Sequence, residues 1–343
     1  MTSIRALYFS ILVTFMAPGV FAQGPQEPRT SAPVVSETLA VQVMLDRLGF
    51  SSGEIDGRAG SNVRRAITAF QGAQQMVTSG EVDEETWKRL AELSAPAQPL
   101  TTYQITPADL AGPFVTDIPA DLIAQSNLRH LGYTSPLEAI AEKFHSSPAL
   151  LKALNPHATF AIADERLTVP NVEPVDTAPL QQTRQQLSRR GTPRSGTTGA
   201  TGTSAEPTAG RIVVRKATSS LTVEDQSGRV IFHAPVTVGS DHDPLPIGTW
   251  QVTTVQHRPA FNYNPALFWD ANPAHSKARI PAGPNNPVGV VWIDLTKEHY
   301  GIHGTPEPSR VGHSQSHGCI RLTNWDALRL ARLTTKGTTV VFE

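Results

Sequence analysis

Cys319 is the one cysteine among 343 residues. It lies in Ser316-His-Gly-Cys-Ile-Arg321, downstream of Gly301-Ile-His-Gly-Thr305. A thiol attacks a carbonyl as thiolate, so a nucleophilic cysteine needs a base or a positive charge beside it. His303 and His317 can supply either. Gly318 lets the backbone turn tightly next to the sulfur, and Gly304 keeps space beside the imidazole. Backbone N–H groups around Gly318 and Cys319 can converge on a developing oxyanion. Arg321 stays charged at any working pH and can dock a carboxylate through two bonds. Two other readings compete. A lone cysteine is often a small buried hydrophobe. His303, His313, His317 and Cys319 can also be imagined around zinc, but the His317 to Cys319 step suits one tetrahedral site poorly, and no His-Glu-x-x-His or paired-Cys spacing is present.

These residues must be held by strands and turns, and the pattern from residue 211 onward supplies them. Leu221-Thr-Val-Glu224, a turn at Asp225-Gln-Ser-Gly228 and Arg229-Val-Ile-Phe232 read as an antiparallel hairpin. Trp250-Gln-Val252, Val290-Val-Trp-Ile293, Gly301-Ile302 and Val340-Val-Phe342 add strands, and residues 324–333 read as a helix capped by Thr323 or Asn324. The long loop 258–287 is either a lid over the site or a rigid Pro-rich insertion. His257, His275, His299 and His313 receive no role from the sequence.

At its reactive positions the chain resembles the L,D-transpeptidase family with its YkuD-type catalytic domain. Gly301-Ile-His-Gly-Thr305 and Ser316-His-Gly-Cys-Ile-Arg-Leu322 carry the likeness, joined by Leu245-Pro-Ile-Gly-Thr-Trp250 and Asn286-Pro-Val-Gly289 in the family order. The resemblance implies that Cys319 is the nucleophile and His303 the proton acceptor and donor. It also implies that backbone at Gly318 and Cys319 holds the oxyanion and that Gly304 orients His303 through its carbonyl. Ser316 and His317 would shape the loop, and Arg321 would support it or bind a carboxylate. No metal or organic cofactor is implied. The reaction implied is attack on the third residue of a peptidoglycan tetrapeptide stem, loss of D-alanine, and transfer of the thioester to a second stem as a 3→3 cross-link. Water as acceptor would give an L,D-carboxypeptidase or hydrolase, and a protein lysine would give an enzyme that anchors outer-membrane proteins. The sequence does not separate these acceptors. A reading of another class is a wall-binding scaffold without catalysis, against which all the reactive residues are present.

Composition bounds the rest. Net charge −1, a pI near 6.8 and the lack of a basic stripe exclude a nucleic-acid partner. With 39% hydrophobic residues there is room for two or three compact units. Residues 1–22 read as a secretory signal peptide: one charge at Arg5, an apolar run too short to span a bilayer, and small residues at the end. Export implies a periplasmic, wall-associated protein with no transmembrane segment in the mature chain. A free thiol kept in such an oxidising compartment calls for a functional explanation.

The expected organisation is multidomain α+β. A tether spans 23–36, and a three-helix unit spans 37–95 with a core of Val41, Met44, Leu45, Leu48, Val63, Ile67, Phe70, Trp87, Leu90 and Leu93. Its wording, from Val41-Gln-Val-Met-Leu to Thr86-Trp-Lys-Arg-Leu90, resembles the small peptidoglycan-binding domain. Residues 101–172 form a small α/β module. Ser135-Pro-Leu-Glu138 and Ser147-Pro148 start its two helices, and Arg166-Leu-Thr-Val-Pro170 is its closing strand. It looks like a LysM-type glycan-binding module with an unclear opening strand. Residues 173–209 form a low-complexity linker. Residues 210–343 form the β-rich, mainly antiparallel, sandwich-like catalytic domain with one helix after the nucleophile loop. The implied partners are peptidoglycan stem peptides and glycan, with an outer-membrane protein as one candidate acceptor.

Overall fold

A computed structural model describes residues 35–95, 98–175 and 208–343. The expected signal peptide, nearly all of the tether, and most of the linker lie outside the described residues. Among those described, no helix is long and apolar enough to cross a membrane.

Three helices open the fold: α1 (Glu37–Arg47), α2 (Ser61–Ala73) and α3 (Glu84–Leu93). Ser36 caps α1 by accepting from the Leu39 N–H, and Asp83 caps α3 by accepting from the Thr86 N–H. Leu45, Phe70 and Leu90 are fully buried between them, with Phe50 edge-on to Phe70 at 5.5 Å. Trp87 and Leu93 depart from expectation, at 38% and 40% exposed. The third side of the unit is closed by a buried amide instead. Gln71 Nε2 donates to Thr86 Oγ1 (3.0 Å) and to the Glu81 carbonyl (2.9 Å), so only one face of α3 turns inward.

The middle unit is framed by β1 (Leu100–Gln104), antiparallel to β2 (Arg166–Pro170). Between them lie α4 (Pro107–Leu110), α5 (Leu122–Ser126), α6 (Pro136–Lys143) and α7 (Pro148–Leu154). Ser135 accepts from the Glu138 N–H, while the Glu138 carboxylate reaches back to the Thr134 N–H at 2.6 Å, one residue beyond an ordinary capping box. Asn155 ends α7 and locks it to β2, donating to the Thr168 carbonyl and accepting from the Thr168 N–H. Ile105, Ile140, Leu151, Leu167 and Val169 are buried as its core.

The C-terminal unit contributes β3 (Arg211–Arg215), β4 (Ser220–Glu224), β5 (Val230–Pro235), β6 (Gly248–His257), β7 (Phe261–Tyr263), β8 (Ala278–Ile280), β9 (Val291–Leu295), β10 (Gly301–His303), β11 (Ile320–Arg321) and β12 (Thr339–Phe342). The helix α8 (Asn324–Leu333) follows the Cys319 loop and is capped by Thr323. Eight of these strands form one curled sheet in the order β11-β10-β9-β6-β12-β3-β4-β5. Its β10–β11 and β12–β3 pairs are parallel and the others antiparallel. A bulge between Val252 and Thr254 sits where β6 leaves one half of the sheet for the other. Strands β7 and β8 form a separate two-stranded arm.

The three units meet around the first turn of α8, which begins five residues after Cys319. Asn324 Nδ2 donates to both carboxyl oxygens of Glu142 on α6 (3.1 and 3.2 Å). Trp325 stacks on His145 at 5.4 Å, and His145 Nδ1 lies 3.0 Å from the Asp46 carboxylate on α1. The Asp326 carboxyl accepts from Ser51 Oγ (2.9 Å) and Thr323 Oγ1 (2.7 Å), and Arg329 donates to the Asp46 carbonyl. The 49–55 loop adds backbone bonds in both directions, from Ser51 to His233 on β5 and from Ile55 to His145.

Candidate active site

Register decides which side chains share a face. In the parallel β10–β11 pair, Ile302 opposes Ile320 and His303 opposes Arg321. Side chains alternate along a strand, so the two isoleucines point one way and His303 and Arg321 the other. Ile302 and Ile320 are completely buried in the core. Cys319 precedes Ile320 and therefore falls on the His303 side. Cys319, His303, Arg321, Tyr300, Trp292 and His317 all line one cavity of about 850 Å3.

Local packing fixes each of these groups. His303 is 3% exposed, stacked on Trp292 at 5.4 Å, and its Nδ1 lies 2.6 Å from the Gly304 carbonyl oxygen. A carbonyl only accepts, so Nδ1 carries the hydrogen and Nε2 is left as a lone-pair base. Burial, with the positive charge of Arg321, pushes the imidazole down to about 3. The half-buried thiol of Cys319 is pushed up by burial, against the Gly301 backbone bond and Arg321, which favour the thiolate. Burial thus favours the uncharged forms of both the thiol and the ring. Arg321 is held below its ordinary range by burial; its Nε is buried without a hydrogen-bond partner.

The glycines serve close approach. Gly318 has φ +103°, and a Cβ there would stand 3.0 to 3.1 Å from the Tyr300 ring and hydroxyl. A Cβ on Gly304 would come within 2.2 Å of Asn324 Oδ1, which accepts from the Val290 N–H. Ser316 Oγ donates to the Cys319 carbonyl at 2.6 Å and so ties the loop to itself. His317 Nε2 lies 2.8 Å from the Asp270 carboxylate, and its ring meets Phe268 edge-on; both partners belong to the 258–287 segment. His313 is exposed and away from this cavity. Among the described residues, no group of three or more His, Cys, Asp or Glu side chains could hold a metal ion.

Sequence reasoning missed Trp292, Tyr300 and Asn324, because their importance comes from cross-strand register and from contact with Gly318 and Gly304. His275, given no role, bonds the Tyr263 hydroxyl (3.1 Å) and the Asp121 carboxylate (2.8 Å).

Residues 209–342 match the family model described as the L,D-transpeptidase catalytic domain, and residues 35–90 match the putative peptidoglycan binding domain. A putative L,D-transpeptidase YqjB from Bacillus subtilis is 31% identical over 137 residues, covering 38% of this chain and 69% of the relative. The chain belongs to the L,D-transpeptidase family. A putative L,D-transpeptidase YkuD from Bacillus licheniformis is 51% identical over 57 residues, 17% of this chain. The chain spans about a third of the length of that relative and of its Bacillus subtilis counterpart (34% and 35%). Among solved structures, L,D-transpeptidase 3 from Mycobacterium tuberculosis with a faropenem-derived adduct is 18% identical, with a TM-score of 0.33, covering 40% of this chain and 60% of that chain. In this member of the family the cavity beside Cys319 is the candidate active site.

Proposed function

We propose that this protein is a peptidoglycan L,D-transpeptidase that works through a thioester on Cys319. The observation that carries the reading is the register placing Cys319, His303 and Arg321 on one cavity-facing side, with His303 Nδ1 tied to Gly304 and Nε2 left free. The stem carbonyl enters beside the sulfur. As the Sγ–C bond forms, the thiol proton passes to His303 Nε2, and backbone N–H groups at Gly318 and Cys319 receive the oxyanion. Collapse breaks the amide C–N bond, His303 returns its proton to the leaving amine, and D-alanine departs. An amine of a second stem then attacks the thioester, gives its proton to His303, and leaves a cross-link and a restored thiol. Because burial favours the uncharged forms of this pair, His303 acts as general base during attack. Arg321, which lines the cavity and whose Nε lacks a partner among the described residues, docks a substrate carboxylate. Ser316 and His317 shape the loop.

The N-terminal helices hold the enzyme on the wall, the middle unit binds glycan in the LysM manner, and residues 1–22 direct export to the periplasm. Purified protein incubated with a disaccharide-tetrapeptide and read by mass tests the reaction. Cross-linked dimers, absent with Cys319→Ala, are expected. Tripeptide alone would assign the same acyl-enzyme to hydrolysis, and unchanged substrate would refute the reading.

A further inference from the structure

The cavity beside Cys319 has a wall that neither family match covers. Ala120, Asp121 and Leu122 line it alongside residues of the β7–β8 arm. They belong to the segment 113–131, between β1 and α6 of the middle unit. This segment is docked closely onto the arm. Leu131 is buried with Tyr263 and Ile280, and Ile118, Leu122, Ile123 and Leu128 pack against the same cluster. The Leu131 N–H donates to the Ala282 carbonyl, Asn285 donates to the Leu131 and Gly132 carbonyls, and a Cβ on Gly283 would come within 1.8 Å of the Leu131 carbonyl. The arm of the catalytic unit is thus held from outside that unit, and the cavity is incomplete without the middle one.

Asp121 is the charged group of this wall. One carboxylate oxygen caps α5 by accepting from the Ala124 N–H (2.8 Å), and the other faces His275 Nε2 (2.8 Å). The Tyr263 hydroxyl meets His275 Nδ1. A neutral ring satisfies the whole chain, with the Tyr263 O–H donating to Nδ1 and Nε2–H donating to Asp121. The Asp121 side chain, a carboxylate lining the cavity, is 48% exposed. Arg321, whose Nε is buried without a partner among the described residues, lines the same cavity with the opposite sign. A ligand that carries both charges is oriented by such a cavity, its carboxylate toward Arg321 and its ammonium toward the added wall.

We propose that residues 113–131 form a specificity wall of the active site and that Asp121 seats a free ammonium group of the stem peptide. This deepens the transpeptidase reading and rests on it for the identity of the ligand. The test measures binding, so it does not depend on turnover. Full-length Cys319→Ala protein, with and without Asp121→Asn, is titrated calorimetrically with two disaccharide-tetrapeptides, one carrying the side-chain amine of its third residue free and one with that amine acetylated. Asparagine caps a helix as well as aspartate, so the substitution keeps α5 and removes the charge. Asp121→Asn weakens the free-amine ligand about threefold to fivefold, the range of a partly exposed ion pair, and leaves the acetylated ligand unchanged. Equal weakening of both ligands, or no change in either, overturns the proposal. D-alanine release by the chain with its cysteine intact reports separately on the transpeptidase reading.

Discussion

The junction of the three units and the active-site cavity lie on either side of one short stretch of chain, and they treat buried polar groups in opposite ways. At the junction Asp46, Glu142 and Asp326 each have at least one close partner, and His145 both contacts the Asp46 carboxylate and stacks on Trp325. His145 Nε2, Trp325 Nε1 and, on the 49–55 loop, Ser52 Oγ are buried without a partner among the described residues. In the cavity, Arg321 Nε has no partner among the described residues, His303 keeps a free nitrogen, and Cys319 Sγ has a long 3.7 Å contact to the His299 carbonyl beside the Gly301 backbone bond. An unpaired buried polar group costs free energy until something binds it. The junction has spent its polar groups on rigidity, whereas the cavity keeps its own for a ligand.

That difference yields separable outcomes. In the cavity, Cys319→Ala should lower D-alanine release by roughly 10⁴-fold or more, and His303→Gln by about 10² to 10⁴-fold. Melting should stay near that of the parent in both, read by calorimetry. At the junction, Trp325→Ala removes a ring that is 2% exposed and should cost about 3–5 kcal/mol of stability. Alkylation of Cys319 by iodoacetamide below the melting point should change little. Comparable losses of activity and stability in all three variants would erase the distinction.

A smaller effect follows from pH. Burial raises Glu142 and Asp326 to about 7, with the Asp46 charge adding to the shift at Asp326. A carboxyl raised in the folded state contributes stability that is complete below its unfolded pKa and is lost as pH rises through about 7. At Asp46 burial pulls upward, but His145 prevails and holds the carboxyl below its ordinary value, so its contribution fades only in stronger acid. The melting temperature should therefore fall between pH 5 and pH 8, by an amount equivalent to at most about 3 kcal/mol per raised group. Glu142→Gln should flatten that fall. The smallest effect is in the cavity. With His303 near 3, kcat/KM should show no acid limb near the ordinary histidine value. Arg321→Gln removes the secondary cause of that depression and should raise the limb by less than about one pH unit.

How far the sequence reached follows the range of the interactions. The hairpin of β4 and β5 was legible because Asp225 accepts from the Ser227 and Arg229 N–H groups within the turn, and Gly228 takes φ +83°. The caps Ser135, Ser147 and Thr323 are equally local. Strand β1 was missed because its exposed Thr101, Thr102 and Gln104 lack an alternating apolar face. The junction had no local signal, since Asp46 meets His145 from 99 residues away and Ser51 meets Asp326 from 275. Trp87 looked like core by spacing, but it is 38% exposed while the neighbouring Thr86 is buried and bonded to Gln71. Motif wording picked out Cys319, His303, Gly304 and Gly318, whereas the neutral state of the Cys319–His303 pair depends on burial, which no spacing reveals.

The central claim is that the stem peptide becomes bonded to the Cys319 sulfur. Full-length protein mixed with a disaccharide-tetrapeptide, quenched in acid within milliseconds and digested, should give a Cys319 peptide heavier by the disaccharide-tripeptide acyl group, with free D-alanine in equal amount. A substrate that loses D-alanine while Cys319 stays unmodified at every quench time, or an adduct found on another residue, would contradict it.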